Sequence, residues 1–243
     1  MPTPSGSGWR TARATGEAEA EARARHPRVR GPWANRLPLA PGGSDNRPVT
    51  ERPVADFSAK PTLTGAKVVL RPFTEEDAPT MAEILRDPEV LLLTGSAGAP
   101  PFPDERLRSW YATRSEQTDR LDLAVVDRAS GELVGEAVLN EWDERNRSCS
   151  FRTLIGPRGR DRGLGTETVR LITGYGFERL GLNRISLSVY AFNARARRAY
   201  EKAGFVAEGT EREALRHEDG WVDATTMSVL AREWAAHRGR PGD

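Results

Sequence analysis

The chain has 243 residues, room for one domain with a tail or for two small domains. Its 36 Lys and Arg stand against 35 Asp and Glu, a net charge of +1, so no overall field draws it to nucleic acid or to a membrane surface. One cysteine and three scattered histidines exclude a disulfide framework and leave no spacing for a zinc tetrahedron, so chemistry without a metal is expected.

Residues 1–60 hold eight prolines and six glycines, and their isolated apolar residues follow no period of strand or helix. Such a segment buries too little surface to offset its ordering entropy, and it is expected to be a disordered, solvated tail. Arg10, Arg13, Arg23, Arg25, Arg28 and Arg30 make it a basic arm only in part, because Glu17, Glu19 and Glu21 interrupt them. No signal-peptide core is visible, and the longest aliphatic run, Val90 to Leu93, is far short of the ~20 residues a membrane helix needs. A soluble, cytoplasmic protein is expected.

From Lys67 onward the pattern becomes regular. Val68 to Arg71 reads as a strand. Asp77 is placed to cap a helix with Pro79 in its first turn and Met81, Ile84 and Leu85 on one stripe. A second helix is predicted from Asp104 to Gln117, with Leu107, Trp110, Tyr111 and Arg114 sharing a face. Leu123 to Asp127 and Leu133 to Asn140 read as strands joined through Ala129, Ser130 and Gly131, and Ser148 to Ile155 is the next strand, ended by Gly156 and Pro157. Leu164, Thr168, Leu171 and Tyr175 repeat as a helical face up to Gly181. Ile185, Leu187 and Val189 alternate as a strand. Asn193 to Ala203 is helical up to Gly204, and Phe205 to Glu208 and Val222 to Leu230 close the pattern. Strands first, then strand and helix in alternation, predict an α/β domain over residues 61–243: a mixed sheet with helices on both faces.

The segment Leu154 to Thr166 lies between a strand and a helix, and it carries Arg160, Gly163 and Gly165 in the spacing R-x-x-G-x-G. Glycines at a helix start let main-chain amides point outward together, and the helix N-terminus adds about half a positive charge, a setting for a diphosphate. The P-loop and dinucleotide spacings are both absent. This segment resembles the acetyl-CoA loop of the GNAT superfamily of N-acetyltransferases. The run Asn193 to Phe205 resembles that family's second signature, N-x-x-A-x-x-x-Y-x-x-x-G-F, through Asn193, Ala196, Tyr200, Gly204 and Phe205. The likeness covers Lys67 to Trp234 and is closest to the branch holding the ribosomal-protein N-terminal and spermidine acetyltransferases.

The resemblance implies a mixed sheet that splays after its fourth strand and an enzyme that moves an acetyl group from acetyl-CoA to a primary amine. It implies cofactor contacts from Thr153, Leu154 and Ile155, from the loop residues Arg160, Asp161, Arg162, Gly163, Leu164, Gly165 and Thr166, and from Asn193 and Tyr200. The Leu154 amide is the expected partner of the thioester oxygen, and Tyr200 is expected to face the sulfur. Two positions depart from the pattern: Asp161 stands where relatives often have glycine, and Ser150 where close relatives carry glutamate. The general base is then sought among Glu136, Glu141, Asp143 and Glu144, with Glu141 first. Without a base, freeing an amine of pKa near 10.4 costs about 4.6 kcal/mol near pH 7, against about 1 kcal/mol for an α-amino group.

Acceptor selectivity is sought among Trp110, Tyr111, Trp142, His217, Glu218, Asp219, Trp221 and Asp223, for a small amine or a protein N-terminus. A homodimer is allowed, and no membrane or nucleic-acid partner is expected. Two other readings stay open: a noncatalytic acyl-CoA sensor, and a ribosome or nucleic-acid binder acting through the N-terminal arm.

Overall fold

In a computed structural model of the protein, residues 55–98 and 100–237 are described, so the expected tail lies outside the described residues as far as residue 54. The stretch up to residue 60 already packs on the domain. Phe57 is 1% exposed, and Lys60 Nζ donates to the carbonyls of Phe57, Gln117 and Arg120 at 2.6–2.7 Å.

The strands are β1 (Leu63–Thr64), β2 (Val68–Pro72), β3 (Leu121–Asp127), β4 (Leu133–Asp143), β5 (Ser148–Ile155), β6 (Arg184–Tyr190), β7 (Val206–His217) and β8 (Gly220–Leu230). The helices are α1 (Ala78–Arg86), α2 (Pro88–Leu93), α3 (Asp104–Ala112), α4 (Leu164–Glu178), α5 (Ala194–Lys202) and α6 (Ala231–His237). The strands form one mixed sheet in the order β1-β2-β3-β4-β5-β6-β8-β7. Its single parallel pairing, β5 with β6, covers only Ser148 to Ser150 against Arg184 to Ser186. Beyond Ser150 the two strands part.

Both faces of the sheet are covered, which is why β3 and the first half of β4 are nearly continuous apolar runs. On one face Leu123, Leu139 and Phe151 pack with Leu164, Val169 and Ile172 of α4. On the other, Ala124 and Leu133 pack with Met81 and Ile84 of α1 and Leu107 and Tyr111 of α3. Each fully buried Leu or Ile contributes about 2 kcal/mol.

Four local expectations change. The Asp77 side chain does not cap α1; its carboxylate takes two hydrogen bonds at 2.7 Å from Arg71 and one from the Thr74 amide. The helix predicted to Gln117 ends at Ala112, and Arg114–Glu116 continue as a tight 3-10 turn. Val90 to Leu93 belongs to an additional short helix, α2, whose Asp87 cap accepts from the Val90 amide. β7 runs on to His217 as an exposed strand, held by its ladder to β8 rather than by an apolar face.

Gly135 on β4 sits opposite Ile155, and a Cβ there would lie 2.1 Å from the Leu154 carbonyl oxygen. Main chain has little room to yield at that distance. Gly135→Ala is expected to lower the unfolding free energy by about 2 kcal/mol or more in urea denaturation, with β5 displaced from β4.

Candidate active site

The parting of β5 from β6 opens a cleft of about 380 Å³. Its walls are β5 at Thr153, Leu154 and Ile155, the loop into α4, the first turn of α4, and one face of α5; Val90, Leu93 and Thr94 form the rim at α2. The cleft thus gathers Thr153, Leu154, Ile155, Arg160, Asp161, Gly163, Gly165, Thr166, Asn193 and Tyr200, ten of the expected residues.

Main-chain direction along β5 follows from the ladder. The Gly156 amide donates to Val134 at 2.7 Å, and the pairing Glu136 with Leu154 lies two residues further along each strand. In an antiparallel ladder such positions exchange hydrogen bonds with the partner strand, and the intervening residues turn the other way. The groups that face the opening are therefore those of Thr153 and Ile155. The Leu154 amide, expected to meet the thioester oxygen, is turned toward Glu136 on β4. The Ile155 carbonyl agrees with this register, since it accepts from Arg160 Nε at 3.2 Å.

The loop reaches α4 through Gly163, whose φ of 78° lies in the left-handed region that favours glycine. A Cβ on Gly165 would meet only Ile155, at an ordinary 3.7 Å. Close helix packing does not require this glycine; its missing side chain leaves open space at the cleft wall. The loop arginines are engaged elsewhere. Arg160 is bound at 2.5 Å to both Asp87 and Glu89 of the α2 segment. Arg162 lies outside the cleft lining and pairs with Asp127 at 2.7 Å. Asp161 has a φ of 56°, and its side chain is 76% exposed, with Arg195 at 3.7 Å. The carboxylate that would repel a diphosphate is thus turned to solvent. Leu164 is buried in the core at 2% exposure, so its contribution to the loop is restricted to main chain.

On α5, Asn193, Ala196 and Tyr200 fall on one face at helical spacing. Asn193 Oδ1 accepts the Ala196 amide at 3.0 Å as the helix cap, which leaves its Nδ2 as a donor. Tyr200 is 7% exposed and lies among Phe151 and Phe205, with ring centroids 6.1 and 6.0 Å away. Its hydroxyl has no hydrogen-bond partner among the described residues, and burial alone pushes the phenol up to about 12. Arg195, Arg198 and Lys202 also line the cleft, from a different side of the helix than Asn193, Ala196 and Tyr200; in the sequence their charge is not separable from ordinary surface arginine.

Glu141 is not brought to the cleft. It is exposed, with a φ of 54°, at the β4 irregularity between Asn140 and Asp143. The residues considered for selectivity separate as well. Trp142 packs on Phe57 in the core. Trp110 stacks on the Arg114 guanidinium at 3.6 Å. Trp221 stands 61% exposed on β8, in register with Arg216. Among the described residues, no helix is long and apolar enough to cross a membrane, and no group of three or more His, Cys, Asp or Glu could hold a metal ion.

A family model described as an acetyltransferase (GNAT) domain matches residues 67–206. The uncharacterized N-acetyltransferase p20 of Bacillus licheniformis is 27% identical over 180 residues, which cover 72% of this chain and 98% of that one. The spermidine N(1)-acetyltransferase of Escherichia coli is 28% identical over 124 residues, 51% of this chain and 67% of that one. Among solved structures, spermidine N-acetyltransferase from Vibrio cholerae in complex with CoA and spermine has a TM-score of 0.63 at 22% identity, covering 70% of this chain and 99% of that one. The splayed sheet, the glycine loop and the family match over more than half the sequence agree: the chain is an acyltransferase of the GNAT acetyltransferase family.

Proposed function

We propose that the protein transfers an acetyl group from acetyl-CoA to the nitrogen of a primary amine, either a small amine or a protein N-terminus. The observation that carries this reading is the Tyr200 phenol, buried and without a hydrogen-bond partner among the described residues, in the same cleft as the β5 main chain that faces away from β4 and the N-terminus of α4. When bound, acetyl-CoA supplies a thioester whose acetyl carbonyl is the electrophile.

The residues present fit that ligand. The open wall at Gly165 and the first-turn amides of α4 suit a diphosphate, with Arg198 and Lys202 on α5 adding positive charge beside it. Main-chain groups of Thr153 and Ile155 face the opening and suit the amides of the pantetheine arm; Asn193 Nδ2 is a further donor. Tyr200 is assigned the sulfur. Against a thiol near 8.5, a phenol pushed up to about 12 gives up its proton uphill by about 5 kcal/mol. Tyr200 therefore acts by hydrogen bonding the leaving thiolate rather than by full proton transfer.

Tyr200→Phe is expected to reduce turnover by about 100-fold in a thiol-release assay with spermidine or a peptide bearing a free N-terminus, while calorimetry shows unchanged coenzyme A affinity. An unchanged rate with intact binding would exclude the catalytic role. The pH dependence has a definite sign. The folded phenol is raised above its ordinary value, so its contribution to stability is complete below about pH 10 and is lost as the pH rises toward about 12. No limb from Tyr200 is expected near neutrality. Glu89 offsets the charge of both Arg160 and Arg195 at the cleft rim. Glu89→Gln is expected to tighten coenzyme A binding several-fold at low salt, an effect that added salt weakens.

A further inference from the structure

Four carboxylates are buried in the described part of the domain: Asp77, Asp122, Asp127 and Glu136. Three are fully engaged. Asp77 holds Arg71 and the Thr74 amide. Asp122 takes two bonds from Arg120 at 2.7 Å. Asp127 binds Arg162, Ser130 and the Ala129 amide.

Glu136 is different. It is 7% exposed, yet its neighbours are the Tyr111 hydroxyl at 3.4 Å and Arg152 at 3.7 Å, beyond direct hydrogen bonding. A buried carboxylate with such loose partners has not recovered its lost hydration. Its place is also particular. It lies cross-strand from Leu154, which lines the cleft and packs with the α1 and α3 cluster. The Arg152 side chain beside it is 54% exposed.

We infer that Glu136 is the residue that receives the acceptor nitrogen, and that the acceptor arrives as an ammonium ion which displaces the Arg152 guanidinium from this carboxylate. This rests on the transferase reading above and deepens it by naming the side chain that takes up the acceptor's proton. A proton then passes from the ammonium nitrogen to a Glu136 oxygen: one N–H bond breaks, one O–H bond forms, and the nitrogen keeps its lone pair for attack. Burial pushes the Glu136 carboxyl above its ordinary value, opposed by the Arg152 charge, supported by Asp122 on β3, and opposed again by Arg120 and the Tyr111 hydrogen bond. Removing Arg152 from contact shifts that balance toward accepting the proton. The glutamate missing at Ser150 is in this way replaced from the neighbouring strand.

The test compares wild type, Glu136→Gln and Arg152→Met. Thiol release from acetyl-CoA is followed with spermidine and with a peptide bearing a free N-terminus, across neutral pH, and amine binding to the coenzyme A complex is measured by calorimetry. Glu136→Gln is expected to lose about 100-fold in kcat/KM for spermidine, to lose less for the more weakly basic peptide amine, to flatten the pH profile, and to abolish the heat of amine binding with coenzyme A affinity intact. Arg152→Met, a change at a half-exposed side chain, is expected to lower KM for spermidine. Glu136→Gln matching wild type, an equal loss on both amines with unchanged amine affinity, or no effect of Arg152→Met would each overturn the inference alone. Coenzyme A binding without thiol release from any amine by wild type would overturn the transferase reading, and this inference with it.

Discussion

Everything about the cleft depends on the brevity of one pairing. β5 and β6 share three residue positions and then separate, although α4 crosses between them as in an ordinary strand-helix-strand unit. A parallel pair that continued would engage the main chain of Thr153 and Ile155, of which the Ile155 carbonyl instead accepts from Arg160, and would close the opening. Because it stops, polar backbone groups are left facing space in the middle of a sheet, a costly arrangement unless water or a ligand with matching groups occupies it. The same parting lets α5 set Tyr200 opposite β5, with Phe151 and Phe205 around it.

The charges around the cleft are partitioned by contacts that span much of the sequence. Arg160 and Arg195 converge on Glu89 of α2, and Arg160 also holds Asp87. Arg162 is drawn off to Asp127 at the end of β3. What remains for an anion is the amide-lined start of α4 and the outer face of α5. The α2 segment is consequently tied to both walls of the cleft through one carboxylate, so its position and the occupancy of the cleft are coupled by charge.

Much of this was legible from local pattern. The order of strands and helices from Val68 to Leu230 follows from periodicity and glycine stops, and the cleft wall follows from two motifs: ten of the expected site residues line it. What was not legible is what depends on distant partners. Nothing near Arg160 in the sequence announces Asp87 and Glu89. Val90 to Leu93 is too short for its period to separate strand from helix, and β7 beyond Glu208 has no apolar alternation because that strand buries neither face. Glu141 stands first as the expected base among the acids on or just after β4, and it is absent from the cleft lining. A stronger signal was present in the apolar run Leu133 to Leu139, buried throughout, where a single carboxylate among aliphatic neighbours is out of place without a task. The amide direction of Leu154 needed the register, which a single strand does not contain.

The sole cysteine, Cys149, lies in the middle of the shared stretch of β5 and β6, where it is buried and its thiol is pushed up to about 12 by loss of hydration, with the Glu141 charge adding to it. A sulfur in that state is neither exposed nor ionised near neutrality, and thiolate is the reactive form. Native protein is therefore silent toward disulfide-based colour reagents, and any yellow that develops in such an assay reports coenzyme alone.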